Sequence, residues 1–209
     1  HCYLIVIFIL AYTVRVITSV KGGQFFIVDE LRYCTGHHFL SYLSDWNLTG
    51  AFHYFLSNSA HTLFTLFAAF AEFIRYLFVL ACIDSNLQAY ELNSTRIGIV
   101  VSSCILSLFS TLNVLLLYPI IRSAGGSSLQ GFVASVLLLL STTNFYFSRH
   151  LLPYDISITL SLLALLLSLR NKSDAKASFL TGVLSCVSIL TYFGYWPLAL
   201  ANWVCAILI

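Results

Sequence analysis

Apolar residues along this chain come in long unbroken runs. Cys2 to Thr18 is apolar apart from Arg15 near its end, and Ile97 to Ile121 holds no charge. Leu129 to Phe147 and Leu151 to Leu169 flank the stretch SRHLLPYD, Ala177 to Leu190 opens another run, and Leu198 to Ile209 is the last. A membrane-spanning helix needs about 20 mostly apolar residues, with a range of about 17 to 25. Soluble amphipathic helices would show a polar face every 3.6 residues, and the strands of a barrel would alternate polar with apolar; these runs do neither. Lipid leaves only helices or closed barrels able to satisfy the backbone. The pattern therefore predicts an all-α, polytopic transmembrane helical bundle, organised as one domain over residues 1–209, with a first extracytoplasmic loop and juxtamembrane helices.

One segment resists that pattern. Ala60 to Ile83 is long enough to span, yet it carries Glu72 and Arg75 at a spacing of three, where they can pair on one helical face. It can cross the bilayer or lie in its interface. The basic loop RNKSDAK, Arg170 to Lys176, is expected on the cytoplasmic side. Counting back by spans puts SRHLLPYD outside, Arg122 inside and Asp84 to Arg96 outside. If Ala60 to Ile83 lies flat, the loop containing VDELRY shares the outer face with LPYD; if it spans, that loop lies inside. Two glycosylation sequons, Asn47-Leu-Thr and Asn93-Ser-Thr, fall in the two loops that the flat topology places outside.

Composition agrees with a membrane class. The 209 residues are 59% hydrophobic and 9% charged, against about 25% charged in an ordinary soluble domain. A net charge of +2, with no basic run and no glycine-rich phosphate loop, argues against nucleic acid as a partner. The six cysteines are scattered without a CxxC pair, and most sit in apolar runs where a free thiol behaves as a small hydrophobe. Because the chain opens on His1 and stops at Ile209 within an apolar run, it is expected to be a piece of a longer membrane protein.

Against this background the few polar clusters stand out. In FFIVDELRYCTGHHF, Asp29 and Glu30 are adjacent, with Arg32, His37 and His38 nearby. These carboxylates read either as a solvated loop or as a general base with a supporting neighbour. Glycoside hydrolysis wants two carboxyl groups across the bond, whereas sugar transfer from a lipid phosphate needs one base and a cation for the departing phosphate. In SRHLLPYDIS, Pro153 and Asp155 suit a helix start, but Arg149, His150 and Asp155 lie so close to hydrocarbon that they are candidates for function or for pairing. Arg96, ahead of the longest charge-free run, can hold a phosphate or act as a snorkelling anchor. His37, His38, His53 and His61 could bind a divalent metal, although none has the spacing of a known site; no cofactor is expected. The aromatics of YFGYWPLALANW suit an interface belt.

The order of these elements is familiar. An apolar helix, VDELRY, a His ahead of an amphipathic helix (His61), TRIGIVVSSCILSLFSTLNVLLLYPIIRSAGG, SRHLLPYDISITLSLLALLLSLR and LTGVLSCVSILTYFGYWPLAL follow one another. That succession resembles the N-terminal half of GT-C type membrane glycosyltransferases, in the branch of protein O-mannosyltransferases and aminoarabinose lipid A transferases. The resemblance implies a sugar donor on polyprenyl phosphate, a protein, lipid or glycan acceptor on the extracytoplasmic face, and a multi-pass location in a prokaryotic plasma membrane or the endoplasmic reticulum. It places the catalytic Asp on Asp29 and the second acid on Glu30. The Arg that opens the family's following helix falls on Arg96, and the Asp after its SR motif falls on Asp155, a further catalytic candidate; Arg96 and Arg149, at predicted outer-face helix ends, are the candidates for holding the donor phosphate. It also implies that Ala60 to Ile83 is a juxtamembrane helix. The rival expectation from another class is a transporter or non-catalytic membrane subunit, with Arg149 and Asp155 as a buried structural pair.

Overall fold

The computed structural model describes residues 2–22, 33–57, 61–82, 96–142, 146, 151–170 and 174–208. Within them the chain is all-helical. In order come α1 (Cys2–Gly22), α2 (Cys34–Ser44), α3 (Leu48–Ser57), α4 (Thr62–Cys82), α5 (Arg96–Ser123), α6 (Ser128–Leu140), α7 (Tyr154–Arg170), α8 (Ala175–Thr191), a 3₁₀ turn (Phe193–Tyr195) and α9 (Trp196–Leu208).

The helix ends follow local chemistry. Ser127 caps α6 in a full capping box with Gln130: the Gln130 N–H donates to Ser127 Oγ, and the Ser127 N–H donates to Gln130 Oε1 at 2.7 Å. Asp174 caps α8 by accepting the Lys176 N–H at 3.0 Å. Asn47, the first sequon asparagine, accepts the Gly50 N–H at 2.8 Å and so caps α3, on an exposed turn. Pro153 immediately precedes α7 and Asp155 lies in its first turn, the helix start that the sequence predicts.

Helix α5 is the central column. It packs against α1, α4, α6 and α7; α7 in turn packs against α8 and α9, and α2 lies on α4. Close approach depends on small residues. A Cβ on Gly36 of α2 would fall 2.4 Å from the backbone of Ala68 and Ala69 in α4. On α7 and α8, Ser157, Ser161 and Ser188 share hydrogen bonds at 2.8 Å, and Asn202 of α9 donates to the Ser161 carbonyl at 3.0 Å. Small hydroxyl residues let helix backbones approach while still supplying cross-helix hydrogen bonds.

Polarity is inverted relative to a water-soluble domain, in which charged side chains almost never bury and large apolar ones usually do. Arg15, Thr65, Glu72, Arg75, Asn113, Asp155 and a series of serines and threonines are buried. Meanwhile Ile5, Val6, Ile9 and Leu10 of α1, Phe70 and Phe73 of α4, Leu129 and Leu137 of α6, Phe179 of α8 and Ile207 of α9 are exposed. Among the described residues one helical stretch, Val100–Ser123, is long and apolar enough to cross a membrane by length and composition. Leu4–Val20, Ser128–Leu140, Ala175–Thr191 and Phe193–Ile207 are apolar but shorter. Within the run expected from Leu129 to Phe147, α6 ends at Leu140, Ser141 interrupts it, and Thr142 and Tyr146 are again helical.

Candidate polar sites inside the bundle

Two clusters of buried charge occupy the interior. The first joins α1, α5 and α7. Arg15 is fully buried; its Nε donates to Ser110 Oγ at 3.0 Å, and one terminal nitrogen donates to the Ala11 carbonyl at 3.1 Å. Ser110 and Asn113 are one turn apart near the middle of α5. The Ser110 hydroxyl also hydrogen-bonds Asp155, and Asn113 Nδ2 lies 3.1 Å from the Asp155 carbonyl and 3.3 Å from its Oδ1. Thr159 completes the cluster, donating within reach of Asn113 Oδ1 and the Asp155 carbonyl, each at 2.7 Å. Arg15 and Asp155 attract one another electrostatically, and Tyr195 of the 3₁₀ turn lies close enough to feel the Asp155 charge.

The start of α7 is itself unusual. Leu151, Leu152 and Pro153, outside any helix, are buried, and Leu151 and Ile156 belong to the apolar core with Phe64, Ala68 and Leu106. Non-helical backbone is thus buried in the bundle ahead of α7. Tyr154 meets the Tyr192 ring edge-on at 4.6 Å, and His61 stacks on Tyr192 at 5.3 Å and 11°. His61 Nδ1 lies 3.4 Å from the Thr191 carbonyl, which ties the head of α4 to the end of α8.

The second cluster joins α2, α4 and α5. Arg75 clasps Glu72 through one guanidinium edge, with Nε 2.9 Å from Oε2 and a terminal nitrogen on Oε1. The sequence predicts this pairing from spacing alone. The Tyr33 hydroxyl lies 3.1 Å from Glu72 Oε2 and 2.5 Å from Ser102 Oγ; with one proton to give, it donates to the carboxylate and accepts from the serine. Burial, and then the Glu72 charge, push the Tyr33 phenol well above its ordinary range, so it is a fixed donor. His37, partly exposed, holds Nδ1 3.6 Å from Glu72 Oε1.

Of the residues singled out from sequence, Asp155 is placed in the first buried cluster, with Arg15 as its cation among the described residues. Arg96 opens α5, and its side chain is outside the described set. Asp29, Glu30, Arg149 and His150 lie outside the described residues. Of the first-loop histidines, His37 and His38 meet edge-on, His37 also faces Glu72 and His38 Tyr54, and His61 stacks on Tyr192. No group of three His, Cys, Asp or Glu side chains gathers as around a metal among the described residues. Sequence reasoning passed over Arg15 and Asn113. An arginine in an otherwise apolar helix was the available signal for the first; the second had none beyond its place in a charge-free run.

No family model, curated protein or solved structure matches this chain.

Proposed function

We propose that the chain belongs to a multi-pass membrane glycosyltransferase that moves a sugar from a polyprenyl-phosphate donor to an acceptor on the extracytoplasmic face. The inverted polarity supports the membrane part of this reading. With hydrocarbon as solvent, exposed Leu, Ile and Phe cost nothing, and polar groups must find partners inside, as Arg15, Glu72 and Asp155 do. Helices of about 17 residues, such as α7 and α8, are at the lower limit for a span.

The transferase part rests on the order of the motifs VDELRY, the arginine opening α5, and SRHLLPYD. In this reading Asp29 takes the acceptor's proton while the phosphate departs without one, Glu30 supports it electrostatically, and Arg96 and Arg149 hold the donor phosphate. Asp155, which sits among Ser110, Asn113 and Arg15, fits a positioning role better than direct contact with substrate. The test is single-turnover transfer by the intact protein carrying Asp29→Asn, together with a donor-binding assay. A general base typically contributes about 10²- to 10⁴-fold, so turnover should fall on that order with donor binding kept; near-normal turnover would reject the assignment.

One observation favours the rival reading of a transporter. The Arg15 and Asp155 cluster lies beside the middle of α5, and α7 starts inside the bundle from buried non-helical backbone, as in transport proteins with interrupted helices. Uptake of a labelled solute into proteoliposomes, with no sugar transfer, would decide for it.

A further inference from the structure

Arg15 has more donors than partners. Nε is spent on Ser110 and one terminal nitrogen on the Ala11 carbonyl, but among the described residues the other terminal nitrogen has no hydrogen-bond partner, although the residue is 0% exposed. A buried guanidinium with an idle nitrogen carries a desolvation cost that its two hydrogen bonds and the Asp155 charge offset only in part. The carboxylate linked to it through Ser110 also has capacity to spare. Asp155 accepts from Ser110 and Asn113, whereas a carboxylate offers about four lone-pair sites.

Ser110 shows how far apart the two charges are held. Its single oxygen accepts from Arg15 Nε, and its proton goes to Asp155, so one hydroxyl spans the gap between cation and anion. The idle nitrogen needs a second bridge of the same size and polarity. Charge selects the occupant. A metal ion or proton-bearing cation would be repelled by Arg15, and an anion by Asp155; a neutral group that both accepts and donates suits both. Full burial of Arg15 limits that group to a small molecule. Internal waters typically make about three hydrogen bonds to groups otherwise unsatisfied.

We infer that a structural water occupies the bundle interior between the idle terminal nitrogen of Arg15 and the Asp155 carboxylate, parallel to the Ser110 hydroxyl. The pair is then a doubly bridged ion pair, with one bridge supplied by α5 and the other by solvent. It joins α1 to the buried start of α7 without direct contact between the charges. The inference is independent of whether the protein is a transferase or a transporter.

A density map of the intact protein in lipid nanodiscs, at a resolution that shows ordered water, tests it directly. The expected result is a single peak within hydrogen-bond distance of both groups. Infrared spectra recorded in H₂¹⁸O supply a second readout, since an internal water gives an isotope-shifted O–H stretch; Asp155→Asn and Arg15→Lys should each shift or abolish that band. The inference is overturned if the map shows the idle nitrogen donating directly to Asp155 or to a main-chain carbonyl with no density between. It is equally overturned if both substitutions leave the water band unchanged. Should either variant fail to fold, the map of the unsubstituted protein decides.

Discussion

Removing the charge of Glu72 is the sharpest perturbation of the helical core. Glu72 and Arg75 are 5% and 7% exposed, and the carboxylate is shared by Arg75, Tyr33 and, at longer range, His37. Glu72→Leu takes the Glu72 carboxylate from the buried Arg75 guanidinium and the acceptor from Tyr33. Breaking a buried pair in this way costs about 3–5 kcal/mol. Arg75→Leu should cost a similar amount, because Glu72 keeps Tyr33 but loses its cation. Replacing both by leucine removes the unpaired charges together, so the double variant should lie within about 1 kcal/mol of the parent after the loss of the Tyr33 bond is allowed for. The coupling energy is then about 5 kcal/mol or more in the sense that the second substitution rescues the first. Unfolding of the intact protein in mixed micelles, followed by tryptophan fluorescence, measures all four corners. Single variants that cost under 1 kcal/mol would mean that the pair is solvated in solution; a double variant as damaged as the singles would mean that the pair contributes net stability beyond satisfying itself.

Other consequences are simpler to read. Gly36→Ala should lift α2 from α4, since the new methyl would lie 2.4 Å from the Ala68 and Ala69 backbone; overpacking of this kind costs about 1–3 kcal/mol, and faster amide exchange confined to α2 would report it. Leu137→Arg, at a position 65% exposed on α6, should impair membrane insertion by about 2.5–3.5 kcal/mol in a glycosylation-reporter assay; efficient insertion would argue that α6 does not face lipid. For Tyr33 the folded phenol titrates above the unfolded one, so its contribution to stability is complete below about pH 10 and is lost as pH rises toward the folded value; Tyr33→Phe should remove that alkaline limb from the stability profile.

How much of this was legible in the sequence varies by element. Helical class and the central run of α5 could be read because an apolar run of that length, without charge or alternation, has few uses other than a helix. The Glu72 and Arg75 pair was legible because a spacing of three is fixed by helix geometry. The Arg15, Ser110 and Asp155 cluster was not, since it unites residues 95 and 45 positions apart and no local rule pairs a lone arginine with a distant helix start. Asp155 illustrates the limit further: spacing after Pro153 predicted its place at the head of α7, but whether that head sits at a surface or within the bundle depends on what α5 and α1 offer it.

That dependence bears on what Asp155 can do. A carboxylate at an interface is held by solvent and is free to meet a substrate, whereas one inside an apolar-faced bundle must be held by neighbours throughout. Here Ser110 and Asn113 hydrogen-bond its carboxylate, Thr159 ties down its carbonyl and Arg15 balances its charge. Moving the carboxylate out to meet an acceptor would break its bonds to Ser110 and Asn113 and draw it away from Arg15, and the cost falls on a buried cluster. The base of a transfer reaction is better sought in a carboxylate with fewer obligations. In the transferase reading this moves the chemical burden to Asp29, and it leaves Asp155 to fix where α7 begins and so where the SRHLLPYD segment can reach.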